Sequence, residues 1–193
     1  MSPRERPGRP RARLFLALEL PDDTRRAIAA WRDEALGGAD TLRPVRAEYL
    51  HVTLVFLGWQ YERDVDRIAS TAFSALAGRP ACKLASLDLV PVPRRGTRLF
   101  ALGLEDRDGG AAVVQAEAAG ALGAAGVYEP EKRPFWPHVT LARVKRGKRA
   151  PQIAAPKPPS ESFEASLVTL YRSVLQPQGA RYEPLHRLTL GVD

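Results

Sequence analysis

Cysteine is nearly absent from this 193-residue chain. Cys82 is the only one, which excludes an internal disulfide and any cysteine-cluster metal site. Long apolar runs are also missing. Nothing approaches the roughly 20 residues needed to cross a bilayer, so no membrane partner is expected. Residues 1–11 lack an apolar h-region, which makes a secretory leader unexpected and a cytoplasmic location the default. Histidine is scarce as well, with three in the chain. What remains is an ordinary globular composition, 45% hydrophobic and 26% charged, long enough to bury a sizeable core.

The net charge of +7 is unevenly spread. Residues 1–12 carry Arg4, Arg6, Arg9 and Arg11 against Glu5, leaving +4 to residues 13–193. Four prolines or glycines interrupt those arginines, so 1–12 reads as a disordered basic tail and 13–193 as a single domain. A pI near 10 suits an anionic partner such as RNA, although a solvated basic surface has the same composition.

The chain alternates strand-like and helix-like segments. Arg13 to Leu20 reads as a strand stopped by Pro21, with a helix after Asp22 or Asp23 whose Ile28, Trp31 and Ala35 share a face. A short strand at Leu42 to Val45 leads to a stronger one at Leu50 to Leu57. Val65, Ile68, Ala72, Phe73 and Leu76 recur at helical spacing. Lys83 to Val90 and Arg98 to Leu104 form a hairpin pattern. An Ala-rich helix follows at about Ala111 to Leu122, with Val113, Ala116 and Leu122 as its expected buried face. A strand at His138 to Val144 precedes a basic, then Pro-rich loop from Lys145 to Pro159. Two strands are expected at the end, Phe163 to Leu175 and Arg181 to Val192, with a turn at Gln176 to Ala180. The two halves share a coarse plan, which suggests an α+β protein built on antiparallel sheet.

They also share a tetrapeptide. His51-Val-Thr-Leu54 recurs as His138-Val-Thr-Leu141, 87 residues later. In a strand, residues two apart project together, so each motif offers an imidazole and a hydroxyl side by side. Two such pairs meeting in one cleft suit phosphodiester cleavage. One histidine takes a proton from water while the other protonates the departing ribose oxygen, near neutrality and without a metal. The threonine hydroxyls donate to the non-bridging oxygens, where charge builds. A single His-x-Thr is a weak signal, because a strand histidine is usually just a satisfied polar residue. Two copies at matching places in matching halves are not.

Other residues read more plainly. His186 lies outside any repeat, and Cys82 reads as a small strand residue rather than a nucleophile. Phe135 and Trp136 precede the second motif and are expected to pack beside their flanking prolines more than to stack on a nucleobase. Phe56 is open to the same two readings, and strict alternation, which puts it on the Val52 and Leu54 face, favours the core. The basic run Lys145, Arg146, Lys148 and Arg149 either steers RNA phosphates or forms a solvated loop.

The motifs, together with Arg13 to Leu18, Leu50 to Gly58, Arg133 to Val144, Leu170 to Ser173 and Arg181 to Leu185, resemble the two-histidine (2H) phosphoesterase superfamily. The branch they resemble is that of bacterial and archaeal RNA 2',3'-cyclic phosphodiesterases, also called 2'-5' RNA ligases. The resemblance implies a bilobal fold of two pseudo-symmetric antiparallel sheets, with helices outside and a central cleft. It implies hydrolysis of a terminal RNA 2',3'-cyclic phosphate to a 2'-phosphomonoester, with weak 2'-5' ligation as the reverse. His51 becomes the proton donor, His138 the proton acceptor, and Thr53 and Thr140 the phosphate-holding residues. Arg143 joins them as a substrate-phosphate residue by the match, although strict alternation puts it on the opposite face unless a bulge turns it. No cofactor and no metal are implied; RNA is the partner, and a monomer is expected. Two features depart from the pattern: the basic tail, and the Pro-rich stretch 145–159 where relatives place a short helix. The alternatives are a phosphodiesterase acting on small cyclic nucleotides or ADP-ribose cyclic phosphate, a non-catalytic RNA-end binder, and a histidine metal site disfavoured by the lack of acidic residues at ligand spacing.

Overall fold

The computed structural model describes residues 10–159, 161–176 and 179–191. The disordered tail expected over residues 1–12 therefore lies largely outside the described residues. Nine strands and three α-helices follow one another as β1 (Arg11–Glu19), α1 (Asp22–Leu36), β2 (Leu42–Pro44), β3 (His51–Tyr61), α2 (Val65–Leu76), β4 (Cys82–Val92), β5 (Leu99–Glu105), α3 (Gly110–Ala124), β6 (His138–Val144), β7 (Ser162–Ala165), β8 (Leu167–Gln176) and β9 (Gly179–Thr189). The first strand starts two residues earlier than expected, because Arg11 and Ala12 pair with Tyr61 and Gln60.

All strand pairings are antiparallel, and the path across the sheet is β7-β4-β5-β6-β3-β1-β8-β9, with β2 beside β6. Read outward from its centre, this path is symmetric. Each motif strand, β3 or β6, pairs with the strand that precedes it across a helix, β1 or β5. Beyond those lie β8 and β9 on one side, β4 and β7 on the other. The two four-stranded halves meet between β3 and β6 through the register pair Val52–Val139.

One boundary differs from the sequence reading in an instructive way. Residues 162–176 form two strands, not one. β7 pairs with β4 in one half, and β8 pairs with β1 in the other. Their apolar patterns run together in sequence, and Ser166 between them is where the chain changes halves.

The helices are placed by their apolar stripes. α1 buries Ile28, Ala29, Trp31 and Leu36, and α2 buries Ile68, Ala69, Ala72 and Leu76. These join Val52, Val139 and the inner leucines of β1 in one core. In α3 the buried face is Ala111, Val114, Ala118, Ala119 and Leu122. Of the residues expected there, Leu122 is inside, but Val113 and Ala116 face out. An alanine-rich helix is apolar all round, so its sequence says little about which stripe packs. The Pro-rich 145–159 stretch is non-helical, as read, and is tied down: the Trp31 indole N–H donates to the Pro156 carbonyl at 3.0 Å, and Ile153 and Ala155 pack on the core.

Candidate active site

Because Val52 and Val139 are register partners and both fully buried, the residues flanking them turn to the opposite face of the sheet. Extending that antiparallel register by one residue sets His51 across from Thr140, and Thr53 across from His138. Residues directly opposite have Cβ atoms roughly 4.5–5.5 Å apart. The neighbouring strands keep this face open with small residues: Ala17 is the partner of Thr53, Ala101 of Thr140 and Gly103 of His138. The fourth position breaks the pattern, since Glu19 is the partner of His51.

Each imidazole is held in the same way. His51 Nδ1 lies 2.7 Å from the Tyr49 carbonyl, and His138 Nδ1 lies 2.8 Å from the Trp136 carbonyl. A carbonyl only accepts, so Nδ1 carries the proton in both rings and Nε2 is left as the working nitrogen. His51 Nε2 is 3.2 Å from Thr53 Oγ1, whose hydroxyl donates to it while the ring is neutral. The rings are also stacked, His51 on Phe15 at 5.0 Å between centroids and His138 on Trp136 at 4.3 Å.

Burial lowers both histidines below their ordinary range. For His51 desolvation is the largest cause; the Tyr49 carbonyl and Glu19 oppose it, His138 and Arg143 add to it, and the group comes down to about 4. For His138 desolvation again leads, opposed by the Trp136 carbonyl and reinforced by Arg143. Both rings are neutral near pH 7 before an anion arrives. Glu19 is itself engaged, accepting from the Thr169 hydroxyl and from the Tyr171 hydroxyl at 2.9 Å. That carboxylate and burial push the Tyr171 phenol well above its usual range, burial more strongly.

The structure brings the fifth residue of the set, Arg143, to the same face, and the cause is a β-bulge. On β6, Ala101 pairs with Thr140 but Phe100 pairs with Ala142, so Leu141 is the extra residue. Strict alternation fails at that point, and Arg143 lines the same cavity of about 320 Å³ as His51, Thr53 and Thr140. The same bulge occurs on β3, where Ala17 pairs with Thr53 and Leu16 with Val55, leaving Leu54 over. In both motifs the bulged residue is the final leucine. Phe56 thus emerges on the motif face, 43% exposed, and lines this cavity and a neighbouring one that holds His138 and Trp136. The expectation that Phe56 is a core residue is overturned by that bulge. The Arg13 guanidinium lies 4.7 Å from its ring centroid.

Trp136 also differs from expectation. It is exposed and stacks on His138, a contact not expected from the sequence, while Phe135 is partly buried against the core. The basic run 145–149 does not line the cavities around the motifs, and Lys145 is occupied in donating to the Asp40 carbonyl at 2.6 Å. His186 is paired with Asp66 at 2.9 Å, and Cys82 is buried with its thiol pushed up to about 11 by desolvation. Among the described residues, no helix is long and apolar enough to cross a membrane.

Two oriented imidazoles, two hydroxyls and a guanidinium on one face of paired pseudo-symmetric strands are the groups that acid–base chemistry on a phosphoester calls for. Comparison with known proteins agrees. Residues 20–176 match the model of the 2'-5' RNA ligase superfamily, and the chain belongs to that family. It is 33% identical over 187 residues to an RNA 2',3'-cyclic phosphodiesterase of Escherichia coli (strain K12), covering 92% of this chain and 96% of that one. A protein of the same description from Aeropyrum pernix is 30% identical, over 83% of this chain and 93% of its own. Among solved structures, E. coli LigT complexed with 3'-AMP superposes with a TM-score of 0.79 at 28% identity, covering 95% of this chain and all of that one.

Proposed function

We propose that this protein hydrolyses terminal 2',3'-cyclic phosphates on RNA to 2'-phosphomonoesters by general acid–base catalysis without a metal. The observation that carries this reading is the convergence of both His-x-Thr pairs on one face across Val52 and Val139. The curated relatives, described as RNA 2',3'-cyclic phosphodiesterases, support the substrate class.

In the reaction, His138 Nε2 takes a proton from water as the water oxygen attacks phosphorus. The bond from phosphorus to O3' breaks, and His51 Nε2–H delivers its proton to O3', leaving the phosphate on O2'. Thr53 and Thr140 donate to the non-bridging oxygens, and Arg143 offsets the charge that grows there. Glu19 supports His51 as the donor, because it is the carboxylate that favours an imidazolium there and His138 has no counterpart to it, whereas Arg143 disfavours an imidazolium at both rings. An arriving phosphate anion raises both histidines, so the protonated donor forms in the complex. Microscopic reversal of these transfers gives weak 2'-5' ligation. The working unit in this reading is a cytoplasmic monomer in which residues 13–193 act as one domain.

The test compares turnover of an RNA oligonucleotide ending in 2',3'-cyclic phosphate with turnover of ADP-ribose 1'',2''-cyclic phosphate. Faster turnover of the RNA supports the reading. Turnover of the ADP-ribose compound alone moves the substrate to small nucleotides. Tight, salt-sensitive binding of the RNA with no turnover makes the protein an end-binding module.

A further inference from the structure

Arg43 and Arg143 are direct register partners on β2 and β6. Like charges placed opposite each other in a sheet repel. Most arginines of this chain that lie near a carboxylate use it, yet among the described residues neither Arg43 nor Arg143 has an acidic group within 4.0 Å. Both line a hollow that continues from the reaction cavity, together with Arg46, Tyr49, Arg181 and Tyr182. Among the described residues, no Asp or Glu lines either space. Arg46 and Arg181 are paired only with Glu48 and Glu183, two residues along the chain, where both arginines and Glu48 are exposed and Glu183 is half-buried, so that the pairs are weakened by solvent. Four guanidinium groups thus surround one small space, and two of them, Arg43 and Arg143, have no carboxylate partner among the described residues. The Arg43 side chain crosses toward the start of β9, where its Cζ lies 3.8 Å from the position a Cβ would take on Gly179.

We infer that this hollow is a second phosphate subsite, which binds the phosphodiester preceding the terminal nucleotide of a single-stranded RNA. The inference rests on the RNA-end reading of the motif site and goes beyond it. Arg43 and Arg143 both face the two spaces; Arg143, on the motif strand β6, serves the reacting phosphate. Arg43 serves the next one and gives the enzyme its preference for a strand over a single nucleotide.

The experiment measures kcat/KM for a tetranucleotide ending in 2',3'-cyclic phosphate and for 2',3'-cyclic AMP, using wild type, Arg43→Gln and Arg43→Lys. Arg43 is exposed on a three-residue strand, so both variants are expected to fold, with the melting temperature as the check. Arg43→Gln is expected to lower kcat/KM for the tetranucleotide about tenfold through KM. The mononucleotide should lose distinctly less than the tetranucleotide, because it carries no second phosphate for Arg43 to hold. The slope of log(kcat/KM) against log[salt] for the tetranucleotide should become shallower by about 0.7, the value for one lost contact on a single strand. Arg43→Lys should restore the slope. Equal losses on both substrates, or no loss on either, overturns the subsite. If wild type turns over neither substrate, the RNA-end reading fails instead. Equilibrium binding of a 2'-phosphate-ended tetranucleotide to the same variants then decides the subsite, and an unchanged salt slope in Arg43→Gln overturns it.

Discussion

Val52 and Val139 face each other at the junction of the two halves of the sheet, and their pairing fixes where four catalytic-type side chains lie. Each valine is the second residue of a His-x-Thr motif. The histidine on either side is therefore matched with the threonine on the other, and both pairs turn away from the core that buries the valines.

From that arrangement, each histidine is expected to be essential to rate but not to fold. His51→Ala and His138→Ala should each lower kcat by 10²–10⁴-fold, the usual worth of one positioned proton transfer. Combining them should cost far less than the product of the two losses, because one transfer without the other achieves little. Melting temperatures and single-turnover rates of the three variants check this. A double variant that loses the full product would show that the histidines act independently.

The pH dependence follows from the direction of both shifts. The free enzyme must hold one histidine protonated and the other neutral, and both titrate below 6.5, His51 at about 4. The fraction in the active form is flat between the two values and falls on either side. kcat/KM is therefore expected to decline about tenfold per pH unit above 6.5. The kcat profile should lie further to the alkaline side, because the bound phosphate stabilises the imidazolium. A kcat/KM that stays level from pH 7 to 8.5 would contradict these values.

The paired bulges at Leu54 and Leu141 make a prediction about the residues they redirect. Arg143→Gln is expected to lower kcat/KM by about 10²-fold, within the range for removing one group aimed at developing charge, with kcat falling more than KM rises. Phe56→Ala, at the matching place on β3, is expected to raise KM about tenfold with little change in kcat, since stacking on a base is worth roughly 1–3 kcal/mol. Steady-state kinetics on a cyclic-phosphate oligonucleotide separates the two. A Phe56 variant that loses stability instead of affinity would return that residue to a packing role.

Glu19 is where the two motifs stop being equivalent, since its counterpart beside His138 is Gly103. Glu19→Gln keeps the side chain's shape and removes the charge that favours a protonated His51. The lower limb of the kcat/KM profile should move to still lower pH, and the rate at pH 7 should fall several-fold. An unmoved limb would mean that Glu19 serves only to hold Thr169 and Tyr171.

Much of this was legible in the residues, and the reasons for the misses are physical. The motif strands, the helices α1 and α2, and the α+β class follow from apolar periodicity and the Pro and Gly stops, and the repeated His-Val-Thr-Leu located the site. Phe56 was misread, and the place of Arg143 rested on the family resemblance alone. A bulge is a property of how two strands pair, and neither Leu54 nor Leu141 announces it in sequence. The division of 162–176 into strands of different halves at Ser166 is likewise set by partners more than a hundred residues apart in the chain for β8, and nearly eighty for β7. Glu19 lay in plain view on the first strand, but only the β1–β3 register shows that it neighbours His51.

The most direct test is to incubate the protein, in EDTA, with an RNA oligonucleotide ending in 2',3'-cyclic phosphate and to determine where the product carries its phosphate. The account predicts a 2'-phosphate from wild type, undiminished by the chelator and lost in both His51→Ala and His138→Ala. A 3'-phosphate would contradict the assignment of His51 as donor to O3', and activity abolished by EDTA would contradict the metal-free mechanism itself.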